Sequence, residues 1–252
     1  MDRFSRLEFG DDTTPQGGRT PGEPIRDADY YHKEAVKYWL SADYELALRN
    51  YSRVLEQNNT IFDAWAGQVL MLIELGEYPE ACVWADKAME FFPEHPELLA
   101  LKALACLRDA RPDQAVAYSD NAVGKDNLTP RVWLVRAEVF LDRKGPIAEG
   151  CINKALAGAD KLAPIVQLEA GRLFRKKGRH VLAVQCLKQA VQNLPRSALA
   201  WYELGCSQAS LGLAEAVHSL EQSHSLRPDW EPAKAMLRKV ENRGFFRGLF
   251  GK

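Results

Sequence analysis

Apolar residues recur along most of this chain at helical spacing. Leu182, Val184, Cys186, Leu187, Ala190 and Val191 form one such set, and no segment sustains the period-two alternation of a half-buried strand. The pattern also repeats at a longer period. Laid out in blocks of 34 residues, the chain returns to the same arrangement about six times. The register is clearest over residues 62–95, where Trp65, Gly76, Tyr78, Ala81, Ala88 and Pro93 occupy block positions 4, 15, 17, 20, 27 and 32.

Three block positions are consistently small. Position 20 holds Ala47, Ala81, Ala115, Ala148, Ala183 and Ala216. Position 27 holds Val54, Ala88, Ala122, Ala155, Ala190 and Ser223, and position 8 holds Ala35, Val69, Ala103, Ala137, Gly171 and Gly205. Blocks four and six each lack one residue in the middle turn, so their second halves run one position early. Small residues at fixed helical positions are what close helix–helix contact demands, because a larger side chain would hold the two backbones apart.

Over roughly residues 28–230 this signature resembles the tetratricopeptide repeat, two antiparallel helices joined by a tight turn. The resemblance implies an all-α, right-handed solenoid with repeats near 28–61, 62–95, 96–129, 130–163, 164–197 and 198–230. Residues 231–243 then read as a capping helix, with Ala233, Met236, Leu237 and Val240 on the face that covers the last repeat.

In the family, positions 2, 5, 9, 12 and 13 of each first helix face the concave groove, which places a binding surface on this chain. Its early blocks carry an apolar wall: His32, Val36 and Trp39, then Ala66, Leu70 and Ile73, then Leu104 and Leu107. Block four adds Glu138 and Asp142, block five Arg172, Arg175 and Lys176, and block six Tyr202. The wall is therefore expected to pass from apolar to acidic to basic. The family's chaperone-tail binders use Lys and Asn at positions 5, 6 and 9. Here those positions keep only Lys33 in the first three blocks, so a carboxylate clamp is not expected. An apolar or amphipathic partner segment is the expected ligand, with an acidic stretch a candidate for the basic end.

The flanks differ in kind. Residues 10–26 are rich in Gly, Pro and Thr and read as a disordered linker, preceded by an arm with three apolar residues, Phe4, Leu7 and Phe9. The chain closes on GFFRGLFGK, where Phe245, Phe246, Leu249 and Phe250 interleave with Arg247 and Lys252. Either flank is a candidate docking element, toward a partner or the groove of the same or a neighbouring chain, the last giving a homodimer by tail exchange; membrane contact is expected only through the C-terminal tail.

Composition narrows the remaining classes. A net charge of −1 supplies no general attraction to nucleic acid. The run Arg172–His180 is densely basic, but no aromatic stacking platform accompanies it, and a solvated helix end explains it as well. Five cysteines, Cys82, Cys106, Cys151, Cys186 and Cys206, lack metal-ligand spacing and read as small core residues of a reducing compartment, so a cytoplasmic location is expected. His32, His95, His180, His218 and His224 form no HExxH pair, and no GxSxG, P-loop or GxGxxG occurs. No catalysis, cofactor or metal is expected; the chain reads as a protein-interaction scaffold.

Overall fold

The computed structural model describes residues 26–141, 145–159 and 163–250, and side-chain statements stop at residue 242. Among the described residues there are thirteen helices and no strand. They are α1 (Ala28–Leu40), α2 (Tyr44–Gln57), α3 (Phe62–Leu75), α4 (Tyr78–Phe91), α5 (Pro96–Arg108), α6 (Pro112–Val123) and α7 (Pro130–Val139), followed by α8 (Gly145–Ala157), α9 (Ala163–Lys176), α10 (His180–Asn193), α11 (Ala198–Ser210), α12 (Glu215–Leu226) and α13 (Glu231–Phe250). Each odd-numbered helix from α1 to α11 opens a repeat, and the even-numbered helix after it packs back against it.

Local chemistry sets the helix ends. The Asp27 and Asp43 carboxylates accept from the backbone N–H of Tyr30 and Leu46, and Ser197 Oγ accepts from Ala200 N, so each satisfies a donor that the first helical turn leaves free. Pro96, Pro112 and Pro130 sit in first turns, where a missing N–H costs nothing. Between the paired helices, block position 15 takes a left-handed backbone in five repeats. Gly76, Gly178 and Gly212 adopt it with φ of 86°, 74° and 70°, but Ala42 and Ala110 also do, at 60° and 56°. The turn geometry is evidently imposed by helix packing, and alanine tolerates it at a cost that glycine avoids.

The small positions lie where the helices meet. Every alanine, valine and serine at positions 8, 20 and 27 is fully buried, at 0% exposure. At Gly171 and Gly205 a Cβ would come within 2.5 Å of Leu187 and 2.6 Å of Leu220, so hydrogen alone fits there. Beyond the last repeat, α13 docks through Ala233 and runs to Phe250, past the expected end at Arg243.

The stack curves enough to bring its ends together. Ser197 Oγ donates to the Leu40 carbonyl at 2.7 Å, and Arg227 Nη1 donates to the Ser41 carbonyl at 3.1 Å. Leu40, Ala42 and Tyr44 of the first repeat accordingly pack into the hydrophobic cluster of repeats four to six. The concave face is therefore the interior of a nearly closed turn rather than an open channel.

Candidate functional site

The concave face carries two unlike regions side by side. The first is a chain of alternating charges built by α3, α5, α7, α9 and α11. Lys176 Nζ lies 2.7 Å from Glu138 Oε1, and Arg108 pairs with Glu138 at 3.4 Å and with Glu74 at 3.3 Å. Arg172 grips both oxygens of Glu74, at 2.8 and 3.4 Å, and reaches Glu203 at 3.4 Å; Arg175 meets the other Glu203 oxygen at 2.5 Å. Glu74 and Glu203 are 7% and 5% exposed, so these pairs work in a low dielectric where an unpaired charge is costly. Burial alone would raise the Glu74 carboxyl, but Arg172 and Arg108 outweigh it and hold it at about 2. Burial pushes Glu138 upward too, and Arg108 and Lys176 again win, leaving it below the ordinary carboxylate value.

The second region is a cavity of about 330 Å³ beside the first. Its wall is apolar and aromatic where α1 contributes Val36 and Trp39 and α2 contributes Tyr51, and where α3 adds Phe62, Ala66 and Leu70 and α9 adds Ile165 and Val166. Asp63, Glu97, Glu169 and Arg131 supply its charges. Arg131 Nε binds Glu97 Oε1 at 3.1 Å, Thr129 Oγ1 donates to the other Glu97 oxygen at 2.7 Å, and Arg131 lies over the Trp39 ring at 5.8 Å. Glu169 fares worse, since its contact with Arg131 Nη2 is 3.9 Å long. Burial raises its carboxyl, and Arg131 and Arg172 only partly offset that. The Trp39 indole Nε1 is buried and has no hydrogen-bond partner.

These regions redistribute the groove residues expected from sequence. His32, Val36, Trp39, Ala66 and Leu70 line the cavity together, with His32 and Val36 half-buried. Leu70 and Leu104 are 6% and 5% exposed, Ile73 is fully enclosed, and Leu107 packs partly buried against the core; these leucines and Ile73 are wall, not open surface. Leu70→Glu with Leu104→Glu is thus expected to unfold the early repeats, and is no clean test of binding. Glu138, Arg172, Arg175 and Lys176 do not form an acidic stretch followed by a basic one, since they are bonded into one network. Lys177 and Arg179 likewise pair with Glu149, at 2.7 and 3.1 Å, so the basic run at 172–180 is largely spent on internal partners rather than on solvent. Tyr202 packs against Trp230, with ring centroids 4.7 Å apart. Asp142, Phe4, Leu7 and Phe9 lie outside the described residues, as do the side chains of Phe245, Phe246, Leu249 and Phe250 at the end of α13.

Glu74 and Arg108 at position 13 and Glu97 and Arg131 at position 2 lie on the expected groove positions but were not read as site residues, and Glu169 and Glu203 at position 6 lie outside those positions. A signal existed, because Glu74 and Arg108 are 34 residues apart and hold opposite charges at the same block position. Two cysteines that the spacing kept apart also meet: Cys82 and Cys106 Sγ lie 4.0 Å from each other between α4 and α5. No helix among the described residues is long and apolar enough to cross a membrane.

A model of the tetratricopeptide repeat matches residues 168–216. No curated protein matches the sequence. Among solved structures, the chain is similar to one in the APC/C hetero-tetramer Cut9–Hcn1, with 15% identity and a TM-score of 0.56, over 85% of this chain and 43% of that one. It therefore spans less than half of that relative's length. A tetratricopeptide repeat protein from Parabacteroides merdae gives 17% identity and a TM-score of 0.54 over 88% of this chain and 86% of its own. A repeat protein of the same kind from Thermus thermophilus gives 18% and 0.54, over 74% and 100%. At such identities the likeness is one of fold, and it agrees with the block period and the helix pairs. The described chain therefore has the fold of the tetratricopeptide-repeat proteins, and the repeat's own model recognises its residues 168–216.

Proposed function

We propose that this protein is a non-catalytic scaffold that captures an extended segment of a partner protein in the cavity formed by α1, α3, α7 and α9. The observation that carries this reading is the contrast within the concave face. The charged chain is internally satisfied, whereas the cavity has room for two or three side chains and an apolar wall to receive them. Apolar anchors of the partner supply the affinity, and the polar groups at the edges fix its direction.

Half-buried residues of the wall make the cleanest test. Val36→Glu with Ile165→Glu is expected to keep the helical circular dichroism and cooperative melting while abolishing recovery of peptides from a displayed random library. Recovery of the same peptides by the variant and the parent would move the binding surface elsewhere and remove the cavity from consideration.

A further inference from the structure

The cavity is lopsided in charge. Asp63, Glu97 and Glu169 face a single cation, Arg131, whose closer contact is with Glu97. Glu169 is left 3.9 Å from that guanidinium in a buried setting that disfavours its charge. A purely apolar ligand would seal Glu169 away from water without adding a partner, and an acidic ligand would be repelled. A ligand bearing a guanidinium or ammonium would relieve it. The rings of Trp39, Tyr51 and Phe62 in the wall suit such a cation as well as an apolar side chain, through their negative faces. The matching chemistry is a short peptide with a basic residue next to an aromatic or aliphatic one.

The chain carries such a segment itself. Residues 3–9 read Arg-Phe-Ser-Arg-Leu-Glu-Phe, two arginines set among three apolar anchors with one acidic residue, Glu8, and a net charge of +1. Between Phe9 and Arg26 run the residues 10–25, a length that extends to about 53–58 Å at most. Arg26 is held at the start of α1, where its carbonyl accepts from Gln57 Nε2 at 3.2 Å, and α1 is the helix whose His32 and Val36 line the cavity. The segment is therefore tethered within reach of the site, at an effective concentration on the order of 1 mM, which a weak intrinsic affinity suffices to exploit.

We propose that the cavity is a receptor for a cationic, apolar peptide, and that Arg3–Phe9 of the same chain is its resident occupant, which a partner must displace. This rests on the reading of the cavity as the partner site. At an intrinsic Kd of about 100 µM, the tethered segment would lower a partner's apparent affinity about tenfold.

The test uses the full chain and a fluorescent peptide of residues 2–10, followed by anisotropy. In the full-length variant Phe4→Ser, Arg6→Glu, Leu7→Ser the cavity is vacated, and the peptide is expected to bind it at least about tenfold more tightly than it binds the parent chain. Adding Glu169→Gln or Val36→Glu to that variant should reverse the gain, with circular dichroism confirming the fold. Equal binding to parent and vacated chains, or none to the vacated chain, overturns the proposal. Peptides selected from the displayed library separate its failure from that of the underlying reading. If they bind the vacated chain in a Val36-dependent way while residues 2–10 do not, only the resident-occupant proposal falls; if neither binds, the cavity is not a peptide site. Light scattering provides the last control, since a dimer that disperses on substituting the segment would seat it in a neighbouring copy and overturn the same-chain assignment.

Discussion

Two regions a few side chains apart on the same concave face use charge in opposite ways. In the chain from Lys176 through Glu138, Arg108, Glu74, Arg172 and Glu203 to Arg175, every carboxylate lies between two cations. In the cavity, one guanidinium serves Glu97 well and Glu169 poorly, and an indole N–H goes unmatched. Its dense internal pairing makes the first region a strut that joins five helices. The incomplete pairing of the second is a cost that a ligand can relieve. Charge in a groove is thus no sign of recognition until its internal partners are counted.

The sharpest way to break this comparison is to damage the strut. Arg172→Met strands Glu74 and Glu203 with one cation each and should destabilise the protein by about 3–5 kcal/mol in urea unfolding. A loss below about 1 kcal/mol would mean that the pairs contribute little and the strut is ornamental.

Acid should reveal the two regions with opposite signs. The folded-state value of Glu74 lies below that of a free carboxylate, so its ionisation adds stability above about pH 4.5, and that stability is lost as pH falls through about 2. The contribution is about 3 kcal/mol, and Glu74→Gln should flatten the fall of Tm across that window. Glu169 is raised instead. Its share of stability is present below the free-carboxylate value and is lost as pH rises through its own, so Glu169→Gln should remove a penalty at neutral pH.

Packing gives a reference between these electrostatic effects. Ala81→Leu inserts volume at a fully buried helix crossing and is expected to cost about 1–3 kcal/mol, with loss of melting cooperativity in the second repeat. The smallest effect expected is that of Glu169→Gln on stability at pH 7, within about 0.5–1 kcal/mol of neutral in thermal melts. If Glu169→Gln proved as damaging as Arg172→Met, the cavity would be a second strut and the contrast would vanish.

The helix pairs and their contact positions were legible because they depend on short-range rules. Alanine at position 20 and glycine at position 8 announce close helix approach wherever they recur, and Gly76, Gly178 and Gly212 announce left-handed turns. Ala42 and Ala110 adopt the same turn without that signal, since packing rather than residue preference imposes it. The candidate site was legible only in part. Val36, Trp39, Ala66 and Leu70 do line one cavity, but Glu97 and Arg131 join it from position 2, where the charges were not read, and Glu169 from position 6, outside the groove pattern. The basic run of block five looked like surface because its acidic partners lie in other blocks, 28–98 residues away.

What the sequence determined by itself is therefore the repeat: its 34-residue period, its two helices, and the small residues at which they touch. Tertiary structure alone decided that Arg172 meets Glu74 across 98 residues, that Ser197 meets Leu40 across 157, and that a cavity remains beside them. The physical reason is that each repeat turns by a small angle against the last. Local packing fixes that angle one interface at a time, and only the sum over successive interfaces sets how tightly the stack coils and which side chains face one another across it.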